Sequence, residues 1–185
     1  MEKVEQRKEV INRLQQLSKE EIDDIQGRLH NHLFNSELWS EASSIGVTVS
    51  QGFEWNTRPI IERAWEEGKT VSVPKCDPKE KKLQFYKLRS YDQLEKVYYG
   101  LLEPNPEQSE ATDKQNINLL IVPGVVFNKE GYRIGFGGGF YDRFLVDYPN
   151  EMVSLLSSHQ LAEDIPVESH DIPVNHMMTE EGFIK

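Results

Sequence analysis

Apolar positions recur at helical spacing over the first quarter of the chain, then shift to the alternation of strands. Val10, Ile11, Leu14 and Leu17 fall on one face of a helix that begins near Val4. Ser18 followed by Glu21 is a capping-box pattern that opens a second helix carrying Ile22, Ile25, Leu29 and Leu33. This quarter therefore reads as a helical hairpin. Ile45, Val47 and Val49 alternate with small residues as a short strand ending at Gln51 and Gly52. Thr57, Pro59 and Gly68 bracket a helix with Ile60, Ile61, Ala64 and Trp65, and residues 70–73 form a second strand stopped by Pro74. Strand, helix, strand is a βαβ unit, whose connection is nearly always right-handed, so a parallel sheet is expected.

Further along, residues 75–82 read as a charged turn, 83–88 as a strand, and the polar, Pro-bearing stretch 103–116 as a long surface loop. The apolar run 117–123 suits a central strand covered on both faces. A helix over 140–146 and short strands over 152–156, 174–179 and 182–184 complete the pattern, the last at a sheet edge. The chain thus reads as α/β: a Rossmann-like, mostly parallel sheet flanked by helices. A length of 185 residues fits one domain spanning 1–185.

With 37% hydrophobic and 28% charged residues, the chain can bury a core and is not disordered. The longest apolar stretch, 119–127, is interrupted by Pro123 and Gly124 and falls short of the roughly 20 residues a membrane helix needs. The charged start offers no secretory signal, and one cysteine, Cys76, builds neither a disulfide framework nor a cysteine zinc site. A cytoplasmic location is expected. A net charge of -10 argues against nucleic acid and anionic membranes as partners, while leaving room for a small anion at a local cluster of Arg and Lys.

One segment stands apart: Arg133-Ile134-Gly135-Phe136-Gly137-Gly138-Gly139-Phe140-Tyr141-Asp142-Arg143, with four glycines in five positions. Glycine permits positive φ and lacks a Cβ, so successive backbone N–H groups can converge on a ligand. A helix starting at the end of the run would add its first-turn amides. The cluster matches neither the dinucleotide fingerprint nor the Walker loop, because Phe140 and Tyr141 stand where those require glycine, or Lys and Ser/Thr. A ligand-free flexible hairpin is the alternative. Arg133 and Asp142 favour a polyphosphate cradle, as a phosphate clamp and a metal-seeking carboxylate.

Together with Pro123-Gly124, Phe127-Asn128 and Gly131, this segment resembles the signature of the 5-formyltetrahydrofolate cyclo-ligase family, also called methenyltetrahydrofolate synthetases. The resemblance extends outward. Lys3 and Arg7 look like the family's basic N-terminal helix and Glu54 like its substrate-contacting acid. Pro74-Lys75, Gly100, Glu103-Pro104 and His170-Asp171 fall at matching elements. It implies ATP- and magnesium-dependent closure of 5-formyltetrahydrofolate, with or without a polyglutamate tail, to 5,10-methenyltetrahydrofolate, releasing ADP and phosphate. The implied fold resembles that of sugar-phosphate isomerases and CoA transferases.

By this resemblance Lys3, Arg7, Arg133, Ile134, Gly135, Phe136, Gly137, Gly138, Gly139, Phe140 and Tyr141 would contact ATP. Val49, Glu54 and residues 136–140 would contact the folate, and Asp142 and Asp171 would bind magnesium. Arg133, Tyr141 and Asp142 would carry the reaction. The family often has Tyr or a basic residue at 136, sometimes Lys at 138, and Tyr at 140. Phe136, Gly138 and Phe140 here leave the backbone cradle intact and supply no hydroxyl or ammonium.

Taken singly, these residues have plainer readings. Lys3 and Arg7 share a helix face as solvated charges do, Glu54 could be a loop acid, and Asp142 a helix cap. The five histidines lack zinc-hydrolase spacing, Cys76 has no histidine nearby in sequence, and Trp39, Trp55 and Trp65 suit packing. A sugar-phosphate isomerase or CoA transferase sharing the sheet, and a noncatalytic nucleotide- or folate-binding protein, are the competing functions.

Overall fold

The computed structural model describes residues 2–97 and 100–185. At its centre is an eight-stranded sheet in the order β12-β11-β10-β7-β1-β2-β3-β6. The inner strands β1 (Ser44–Gly46), β2 (Thr70–Asp77), β7 (Leu119–Ile121), β10 (Glu151–Leu155) and β11 (His176–Thr179) pair in parallel. At one end β3 (Lys82–Lys87) and β6 (Ala111–Thr112) add antiparallel; at the other, β12 (Gly182–Phe183) closes the edge antiparallel to β11.

Side chains along β7 point alternately to the two faces, as strand geometry dictates. Leu119 and Ile121 join Ile45, Val71 and Met178 under α4 (Arg58–Glu66), with Leu33 of α2 (Lys19–Phe34) and Trp39 of α3 (Glu37–Glu41). Leu120 and Val122 face the other way, toward Phe144 and Leu145 of α5 (Phe140–Leu145). Helices therefore cover both faces of the central strand, which is why its sequence is continuously apolar.

The capping box of α2 forms as expected: Ser18 accepts the Glu21 N–H, and the Glu21 carboxylate accepts that of Ser18. An N-cap of this kind contributes about 1 kcal/mol. The first helix, α1 (Lys3–Gln15), buries Val10 and Leu14 against Val125, Val126, Ile134 and Ile165. It thus rests on the small hairpin of β8 (Val126–Phe127) and β9 (Arg133–Ile134), while Leu33 of α2 belongs to the main core.

Three expectations are overturned. The first strand ends at Gly46 and does not run on through Val49 to Gln51. Pro74 does not stop the second strand, because β1 pairs with β2 only as far as Ser72; beyond it the missing N–H leaves no ladder bond unmade on that side. The stretch 103–116 is no open loop. Residues 102–104 form β5 (Leu102–Pro104), paired with β4 (Leu94–Lys96), and residues 111–112 form β6. Its polar residues have internal partners: the buried Glu103 carboxylate accepts the Cys76 N–H at 2.9 Å, and Thr112 Oγ1 lies 2.8 Å from Ser72 Oγ.

Candidate active site

The chain leaves β1 toward β2 on one side, and leaves β7 toward β10 and β11 on the other. Between β1 and β7 the strand order reverses, and open α/β sheets bind ligands in the crevice outside the carboxyl ends at such a point. A crevice lies there. It is lined by Ile121, Val122 and Pro123 at the end of β7, Leu155 at the end of β10, and Thr48, Phe53, Glu54, Trp55 and Asn56 after β1. Leu14 and His30 face it from α1 and α2.

Its walls are held by hydrogen bonds. Trp55 Nε1 donates to Gln160 Oε1 at 2.7 Å, and Gln160 Nε2 donates to the Val125 carbonyl at 3.1 Å. His30 Nε2 sits 2.9 Å from the Asn56 carbonyl, and burial lowers its pKa, so the ring is neutral at physiological pH. Glu54 Oε1 accepts the Gln51 N–H at 3.0 Å, and burial raises its carboxyl above the ordinary range. Val49 differs from Glu54: it packs against the main core and does not line the crevice.

The glycine segment leaves β9 and ends at α5. Gly137 and Gly139 have φ of +98° and +69°, which favours glycine at both. A Cβ on Gly138 would lie 2.5 Å from the Phe140 ring. Ile134 is buried under α1, whereas Phe136 is 59% exposed. Since α5 has six residues, its dipole adds little to the charge at this loop.

Arg7 of α1 and Arg143 of α5 reach this loop, while Arg133 and Lys3 pair with Asp142 and Asp171. Arg7 Nε of α1 donates to the Gly135 carbonyl at 2.6 Å, and its guanidinium reaches past Gly137. Arg133, its side chain 5% exposed, donates to the Ile172 carbonyl at 2.9 Å and pairs with Asp142 at 3.3 Å. Burial disfavours its charge, and Asp142, Tyr141 and Asp171 counter that. Lys3 Nζ lies 3.5 Å from Asp171. Arg143, which sequence reading left without a role, lies beside Gly139. Its spacing of four from that glycine was the available signal.

Tyr141 sends its hydroxyl into the interior, where the oxygen is buried without a hydrogen-bond partner among the described residues. Burial pushes its pKa far up, with smaller influences from Cys76, Arg133 and Glu54, so it remains a donor at every physiological pH. Cys76 is itself pushed up to about 11 by burial and Glu103, which makes it a poor nucleophile.

Asp142 and Asp171 flank Arg133. Asp142 Oδ1 accepts the Ile172 N–H at 3.0 Å, and Asp171 Oδ2 accepts that of Glu168 at 2.9 Å. Among the described residues no group of three or more His, Cys, Asp or Glu could hold a metal. Two carboxylates beside the glycine loop are a donor set that would fit a magnesium ion carried by a polyphosphate, since magnesium keeps waters and substrate oxygens as ligands.

This arrangement defines an α/β domain with a switch-point crevice and an adjoining glycine-rich loop that Arg7 and Arg143 approach. The 5-formyltetrahydrofolate cyclo-ligase family model matches residues 1–180, and the chain belongs to that family. The Escherichia coli K12 5-formyltetrahydrofolate cyclo-ligase is 33% identical over 142 residues, 75% of this chain and 78% of that protein. The mouse enzyme of the same name is 25% identical, covering 95% of this chain and 92% of its own. The NMR structure of Aquifex aeolicus 5,10-methenyltetrahydrofolate synthetase superposes with a TM-score of 0.86 at 28% identity, covering 99% of this chain and 92% of that one.

Proposed function

We propose that this chain converts 5-formyltetrahydrofolate and ATP to 5,10-methenyltetrahydrofolate, ADP and phosphate. The observation that carries the reading is the approach of Arg7 and Arg143 to the glycine loop beside the switch-point crevice, with the Arg133–Asp142 pair joining the loop's two ends. Family membership gives the substrate class, and the relatives' names point to the same reaction.

A formamide oxygen leaves poorly, so ring closure needs activation. The formyl oxygen attacks the γ-phosphorus in line, the bond to the β-bridging oxygen breaks, and ADP leaves. N10 then adds to the formyl carbon of the resulting imidate-like phosphate and loses its proton. The carbon–oxygen bond breaks, and the formyl oxygen departs within inorganic phosphate. Phosphoryl transfer of this kind depends mainly on positioning and charge neutralisation, which suits a site with amides and cations and no activated protein nucleophile.

Lys3, Arg7, Arg133 and the amides of 135–139 hold the triphosphate, and Tyr141 donates its unpaired O–H to the charge developing there. Glu54, whose carboxylate faces the crevice, accepts N–H groups of the pteridine, and residues 136–140 border both ligands. Val49 supports the loop from behind. Asp142 and Asp171 hold magnesium, which supplies charge neutralisation on the triphosphate. Among the described residues no helix is long and apolar enough to cross a membrane.

The test mixes pure protein with 5-formyltetrahydrofolate, magnesium and ATP and follows methenyl absorbance. A signal that requires both ATP and magnesium is expected. Binding of both ligands without turnover would leave a folate-binding protein in place of the enzyme.

A further inference from the structure

We infer that Phe53 is a positioning residue for the folate: it backs the exposed ring of Phe136, which stacks on the substrate's aminobenzoyl ring. The inference rests on the ligase reading above. The two rings lie 5.9 Å apart at 41°, joining the loop after β1 to the glycine loop across the crevice mouth. Phe53 is half-buried against the cluster of Val10, Leu14 and Ile134, so its position is fixed from below. Phe136 stays 59% exposed, an apolar face on a loop whose other residues are mostly glycine.

The substrate's own chemistry selects the ring. The aminobenzoyl ring is bonded directly to N10, and N10 must reach a formyl carbon held at the phosphate cradle. That ring therefore lies beside residues 135–139, with the pteridine toward Glu54 and the glutamate toward solvent. Phe140 is less suited to receive it, because its ring is half-buried and turned onto Gly138. Glu54, next to Phe53 in the chain, lines the same crevice.

Steady-state kinetics of F53L, F136L, the double variant and F53Y test this, with thermal melting as the folding control. Phe53→Leu should raise the KM for 5-formyltetrahydrofolate about 3- to 10-fold, leaving kcat and the KM for ATP within about twofold, and Phe136→Leu should raise the folate KM by at least as much. The double variant should be no worse than Phe136→Leu alone, because Phe53 acts through that ring. Phe53→Tyr should restore the wild-type KM. A raised KM for ATP with the folate KM unmoved would give the ring to adenine and overturn the assignment. Additive losses would overturn the positioning role. An active wild type with unchanged variants refutes this inference alone, whereas a wild type without ATP-dependent turnover removes the ligase reading on which it rests.

Discussion

Tyr141 buries a hydroxyl that none of the described residues pairs with, and burying a polar group unpaired costs about 1–3 kcal/mol. A fold keeps such a group where a ligand will use it. Tyr141→Phe should therefore raise the melting temperature of the free protein while lowering ATP-dependent turnover about tenfold or more, the loss expected for a hydrogen bond to a charged group. A variant that melts earlier would show a partner in the free protein. Glu54 presents the same conflict through charge. Burial raises its pKa above 4.5, so the folded protein retains a proton that the unfolded chain has released. The associated stability is complete below about pH 4.5 and is lost as pH rises through the raised value. Glu54→Gln can still accept the Gln51 N–H without the charge. Its melting temperature should match wild type near pH 4 and exceed it at pH 7, with weaker folate binding. Equal melting at both pH values would contradict this.

Among the elements, those with regular periods were legible: α1, α2 and α4 from apolar spacing and N-terminal signals, β7 from its apolar run. β2 was read short because proline usually ends a strand, and sequence does not reveal where a neighbouring strand departs. Residues 103–116 looked like solvated loop because the partners of Glu103 and Thr112 lie far away in the chain, on β2. The placement of α1 on the β8–β9 hairpin was equally hidden, and it is what brings Arg7 to the glycine loop. A Cβ added at Gly135 meets nothing within 4 Å. Gly135→Ala should therefore melt like wild type yet show a several-fold higher KM for ATP, because the new methyl group meets the approaching phosphates. Unchanged ATP kinetics would remove Gly135 from the cradle.

At the scale of the whole molecule, a chain of net charge -10 brings Arg7 and Arg143 to one loop and sets Lys3 and Arg133 against Asp171 and Asp142. Much of that site was legible because the glycines, Arg133, Tyr141 and Asp142 are contiguous in sequence. His30, Trp55 and Gln160 come from distant segments and carry no local signal; only the folded sheet brings them to the crevice. The most direct measurement is amide chemical-shift mapping of the free protein titrated with ATP and magnesium. The account predicts that the resonances of residues 135–139 move first and furthest. If those amides stay still while another region responds, the nucleotide binds elsewhere and the loop is not its cradle.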